Sequence, residues 1–184
     1  RTPSSSAIPS SIEAMRLRPF LPLGFLLLAG GSGQAVPGDL PAADFVLVEK
    51  GARRLTLFAD GRPFRVYDGL QLGAEPDGPK HFEGDERTPE GRYTIDYGND
   101  RSAYHLSLHI SYPGPADVAF ARGQGRSPGG LIFLHGQPNG LPAHGLPAGR
   151  VPGDWTDGCI ALSNAEIEEI WSLVGDGTPI EIRP

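Results

Sequence analysis

Cysteine is almost missing from this chain, with Cys159 the only one in 184 residues. An internal disulfide is therefore impossible, and a cystine-stapled scaffold is excluded. Methionine is as scarce, with Met15 alone. Lysine occurs only at Lys50 and Lys80, so arginine carries most of the basic charge. The 16 basic residues are outnumbered by 22 acidic ones, giving a net charge of −6. With no Lys/Arg run to neutralise phosphates, a nucleic-acid partner is excluded. The longest apolar run, Phe20 to Ala29, has about half the roughly 20 residues that a bilayer span needs. No internal repeat and no heptad pattern occurs.

That short apolar run has a context. Met15, Arg16 and Arg18 precede it, and the small residues Gly30 to Ala35 follow. A charged start, a short apolar middle and a small-residue exit are the parts of a secretory signal. The expected signal covers residues 15–35, with cleavage after Ala35. Pro22 and Gly24 weaken the run as a permanent anchor, and no cysteine follows it to carry a lipid. Residues 1–14 read as a non-native or disordered extension, 36–43 as a linker and 44–184 as one catalytic-sized domain. An exported protein with a single thiol needs a reason for it. Two remain open on the cysteine alone: a reactive thiol, or a small buried apolar side chain.

Glycine (26) and proline (19) are abundant, as expected for many short strands joined by turns. Strands are expected over Phe45 to Glu49, Arg54 to Ala59, Pro63 to Tyr67, Arg92 to Tyr97, Tyr104 to Ser111, Leu131 to His135 and Thr178 to Ile182. Asp60-Gly61 is a two-residue hairpin signal. Pro115 to Arg122 reads as a short helix stopped by Gly123. Ser163 with Glu166 forms a capping box, and Ile167, Ile170, Trp171 and Val174 repeat at helical spacing behind it. The fold class is mainly β, a sheet or sandwich with one clear helix on the C-terminal side.

A thiol is mostly protonated at neutral pH and needs a base. Of five histidines, His135 is the best placed, at the end of an expected core strand. The carbonyl of Gly136 would fix its tautomer. His144 is the rival base, nearer Cys159 in sequence but in a Gly/Pro loop. His105 and His109 share a face of an expected strand, yet this spacing stretches about 13 Å along it, too far for a zinc pair. The sequence calls for no metal and no cofactor.

Leu134-His135-Gly136, followed by Thr156-Asp157-Gly158-Cys159-Ile160, resembles the signature of the L,D-transpeptidase (YkuD-type) catalytic domain. Lys80 to Ile95 and Ser127-Pro128-Gly129-Gly130 resemble the same family, and the likeness spans roughly Asp44 to Pro184. The resemblance implies a β-sandwich-like fold with Cys159 and His135 in one groove. It implies an exported enzyme of the periplasm or cell envelope that acts on peptidoglycan stem peptides and is open to carbapenem inhibition. Cys159 would be the nucleophile and His135 the base and acid, with the Gly136 carbonyl orienting it. Asp157, Gly158 and Cys159 would supply oxyanion amides, and Thr156, His144 and Tyr104 would border the substrate. The chain departs from the family at Ala161, where many members carry Arg, and at Asp157, often His. The loop between His135 and Cys159 is also longer than usual. Hydrolysis by an L,D-carboxypeptidase, or a non-catalytic peptidoglycan-binding module, are the alternatives.

Overall fold

The structure, a computed structural model, describes residues 40–141 and 146–184. The expected extension, the expected signal, residues 36–39 of the linker and His144 lie outside the described residues.

Eight strands form one hydrogen-bonded sheet: β1 (Phe45–Glu49), β2 (Arg54–Ala59), β3 (Arg62–Asp68), β4 (Gly91–Ser102), β5 (His105–Ile110), β6 (Ile132–His135), β7 (Ile160–Ala161) and β8 (Thr178–Arg183). Their spatial order is β3-β2-β1-β8-β4-β5-β6-β7. The sheet curls on itself. Just past β3, Gln71 bridges Ala161 of β7, and Gly73 bridges Thr156. The sandwich-like form thus arises from one sheet whose far edges meet. The turn between β2 and β3 has positive φ at both Asp60 and Gly61, the twist that suits a tight hairpin.

Alternation puts Val46, Val48, Leu55, Leu57, Ile95, Ile110, Leu134, Ile180 and Ile182 on the inner face, all nearly fully buried. Each such side chain contributes roughly 1.5–3 kcal/mol by leaving water. Helix α2 (Asn164–Leu173) covers part of this face. Ser163 accepts from the Glu166 amide, and the Glu166 carboxylate returns to the Ser163 amide, as the capping box requires. Ile167 and Ile170 are buried, and Leu173 extends the expected stripe. Gly98 of β4 makes room for Trp171: a Cβ there would lie 2.5 Å from the indole.

Three elements differ from expectation. β4 runs five residues beyond Tyr97 to Ser102, because bulges against β5 let it bend and continue. β7 has two residues, too few to show any period. Helix α1 (Pro115–Gly123) is the short helix expected there but includes the glycine expected to stop it.

Candidate active site

Register explains how the site is assembled. Strand β6 pairs with β7 through Leu134↔Ile160 and His135↔Ala161. One residue earlier, Cys159 therefore falls beside Phe133. Paired residues share a face, and residues two apart on a strand share it too. Phe133, His135 and Cys159 thus stand together on the face away from the core. They line one cavity of about 450 Å³, with Asn99, Ser107, Leu131 and Trp155.

His135 is 2% exposed. Its Nδ1 lies 2.7 Å from the Gly136 carbonyl oxygen. A carbonyl only accepts, so Nδ1 carries the proton and Nε2 is left with its lone pair. The rings of Tyr104 and Trp155 flank the imidazole, with centroids at 4.7 and 5.7 Å. Burial pulls the His135 pKa below its ordinary value, against the Gly136 hydrogen bond that raises it.

Cys159 sits on a turn fixed by its neighbours. Thr156 Oγ1 donates to the Cys159 carbonyl at 2.8 Å and accepts from the Gly158 amide at 3.2 Å. The Gly158 amide is thereby already engaged, which leaves those of Asp157 and Cys159 as the better oxyanion candidates. Gly158 has φ +123°, and a Cβ there would meet the Arg87 carbonyl oxygen at 2.4 Å. The turn is pressed against the loop before β4. That loop is pinned by Lys80, whose Nζ lies 2.8 Å from Asp85. Burial would raise the Asp85 pKa, but Lys80 and the amides of His81, Phe82 and Arg87 more than offset it and hold the carboxyl below its usual value. On the other side, Asp154 forms a two-point pair with Arg53 at 2.6 Å and accepts from the Leu72 amide. This anchors the residue next to Trp155.

The sulfur lies 3.6 Å from the Leu131 carbonyl oxygen. Burial pushes the thiol up to about 11, against the Phe133 amide, which favours the thiolate. Both partners are thus biased toward their neutral forms.

The expected site residues fall as follows. Cys159, His135, Tyr104, Thr156 and Asp157 line the cavity, while Gly136 and Gly158 shape it from behind. His105 and His109 do not converge. His105 has φ +66°, which breaks the alternation, and bonds Glu168, whereas His109 bonds Asp96. No cluster of three or more metal-ligating side chains occurs among the described residues. Ala161, in the place where an arginine is common, is buried and bridged to Gln71. Sequence reasoning missed Phe133 and Trp155. Phe133 was findable two residues before His135 on an alternating strand. Trp155 gave no signal, since its place depends on Arg53, over a hundred residues away.

No curated protein matches the chain. Among solved structures, the helical cell shape determining protein Pgp2 from Campylobacter jejuni is similar at 25% identity and TM-score 0.60, covering 77% of this chain and 48% of that one. Bd1075 from Bdellovibrio bacteriovorus is similar at 24% identity and TM-score 0.53, with 77% and 48% covered. The chain thus spans about half the length of these two structures. The family model described as the L,D-transpeptidase catalytic domain, YkuD, matches residues 43–182. The chain belongs to the YkuD family of L,D-transpeptidase catalytic domains.

Proposed function

We propose that the protein is a cysteine-dependent L,D-transpeptidase that modifies peptidoglycan stem peptides. One observation carries this reading. His135, at the end of β6, and Cys159, just before β7, line one cavity, and His135 has its Nδ1 proton committed to Gly136. A nucleophile, a base and a group that orients the base are the parts that thiol acyl transfer requires.

The sulfur attacks the carbonyl that links the diamino acid of the stem to its terminal D-Ala, and the S–H proton passes to His135 Nε2. The oxyanion meets the amides of Asp157 and Cys159, and one such donor is worth about 2.7–4 kcal/mol. The C–N bond breaks, His135 gives its proton to the departing amine, and a thioester remains. The amine of a second stem attacks this thioester and gives a proton to His135. The thiol then leaves and regains that proton. Tyr104 and Trp155 shield the imidazole, which keeps the base neutral and selective for the bound substrate.

The protein is read as exported, through the signal over 15–35, to the envelope where such substrates lie. The name of Pgp2 connects that relative to cell shape. By family likeness, this chain would trim or cross-link the wall to a similar end. Among the described residues, no helix is long and apolar enough to cross a membrane. The test is chromatography of products from a disaccharide-tetrapeptide. Cross-linked dimers are expected. Tripeptide alone would replace transfer with hydrolysis, and unchanged substrate would reject the reading.

A further inference from the structure

The outer face of the sheet carries a second feature, next to the catalytic cavity. Register places Tyr97 of β4 opposite His109 of β5, and His109 opposite Phe133 of β6. Phe133 lies beside Cys159. One rung of the sheet therefore reads Tyr97, His109, Phe133, Cys159. The next rung on this face reads Asn99, Ser107, His135, Ala161. Three rings thus lead across the sheet to the sulfur.

The rung is built by a bulge. Ile95 pairs with Ile110 and Tyr97 with His109, so Asp96 is an extra residue on β4. Without it, Asp96 and Tyr97 would point to opposite faces. With it, both reach His109, since bulges re-aim side chains in this way. The Tyr97 ring stacks on the imidazole at 4.5 Å, with 15° between planes. Asp96 Oδ1 lies 2.6 Å from His109 Nδ1. Phe133 stands edge-on to His109 at 4.9 Å and to Tyr97 at 6.1 Å. Tyr97 is 42% exposed. The Asp96 side chain beside it is 41% exposed.

We propose that Tyr97, with Asp96 and His109, forms a saccharide-binding platform that holds the glycan end of the donor strand while its stem peptide runs along the rung to Cys159. This rests on the stem-peptide reading above. A sugar ring is apolar on its C–H faces and polar around its rim. The π face of Tyr97 attracts polarised C–H groups, and the Asp96 carboxylate accepts from rim hydroxyls. A purely aliphatic partner would desolvate the carboxylate oxygen that His109 does not engage and offer it no donor. Length agrees as well. Strands lie about 4.8 Å apart, so Tyr97 is roughly 14 Å from Cys159 across three spacings. The reacting carbonyl belongs to the third stem residue. Three extended residues span about 10 Å, and the link to the sugar covers the remainder.

The test compares the whole chain on a disaccharide-tetrapeptide and on the sugar-free tetrapeptide. The wild type should favour the sugar-bearing substrate by about tenfold in kcat/KM. Tyr97→Ala should abolish that preference through KM and leave sugar-free turnover unchanged. Tyr97→Phe keeps the ring and should keep the preference. Equal use of both substrates by the wild type would overturn the platform. So would an equal loss on both in Tyr97→Ala. If the wild type turns over neither substrate, the stem-peptide reading fails. The platform is then judged by calorimetric titration of Cys159→Ala with an N-acetylglucosamine tetramer. Binding that weakens at least about fivefold when Tyr97→Ala is added supports it. Absent or unchanged binding overturns it.

Discussion

The β3-β2-β1-β8 half of the sheet and the β4-β5-β6-β7 half are made from similar stretches of alternating residues, yet the cavity belongs to the second. In the first half, the non-glycine residues with positive φ, Arg53 and Asp60, lie in turns, and register shifts once, between Leu57 and Phe58 of the β2–β3 ladder. In the second, His105 opens β5 and Leu131 precedes β6, and the β4–β5 ladder shifts register twice. Leu131 is also 71% exposed, and its carbonyl meets the thiol. Regular pairing gives a core. Departures from it aim side chains away from the core, and they are more frequent here, beside Cys159.

The sharpest way to break this comparison is to remove chemistry without touching the fold. Cys159→Ala should eliminate acyl-adduct formation while thermal melting stays near the wild-type value, since the change deletes one sulfur from a half-buried site. His135→Ala should lower the acylation rate by about 10²–10⁴-fold, the usual contribution of a positioned base. Stopped-flow trapping with a β-lactam reports this. An equal loss in a variant of His144 alone would instead make that residue the base.

Stability separates the halves in the opposite sense. Leu57 is fully buried between β1 and β3. Leu57→Ala should cost about 2–5 kcal/mol in denaturant unfolding yet leave acylation per folded molecule unchanged. Gly158→Ala should act on both measures, because the added Cβ meets the Arg87 carbonyl. The strain is worth about 1–3 kcal/mol and displaces the turn that carries the thiol.

The smallest effect is in pH. Burial holds the His135 pKa below its ordinary value, so its imidazole stays neutral into mild acid. Acylation should fall as the pH drops through that lowered value, because imidazolium takes no proton. The acid limb should therefore lie below the ordinary histidine value of about 6.5. Alkylation by iodoacetamide should keep rising toward pH 11, where the thiol ionises. An acid limb above 6.5 would mean that His135 is not buried as described.

The same contrast governs how much of the structure is legible in the sequence. β1, β2, the β2–β3 hairpin and α2 follow from local rules: alternation, Asp60-Gly61, and Ser163 with Glu166. Cys159 and His135 stand out by residue type and position. β7 does not, because two residues become a strand only when Leu134 and His135 are already in place. The bulge at Asp96 is equally hidden, since it exists only in the register against β5. Trp155 takes its place from Arg53 through Asp154, and no local pattern reports so distant a pair.

Intact-protein mass spectrometry after mixing with a carbapenem tests the central claim most directly. The account predicts a covalent adduct of one inhibitor per chain on the wild type, none on Cys159→Ala, and slowed formation on His135→Ala. An adduct that survives in Cys159→Ala, or none on the wild type at any pH, would contradict it.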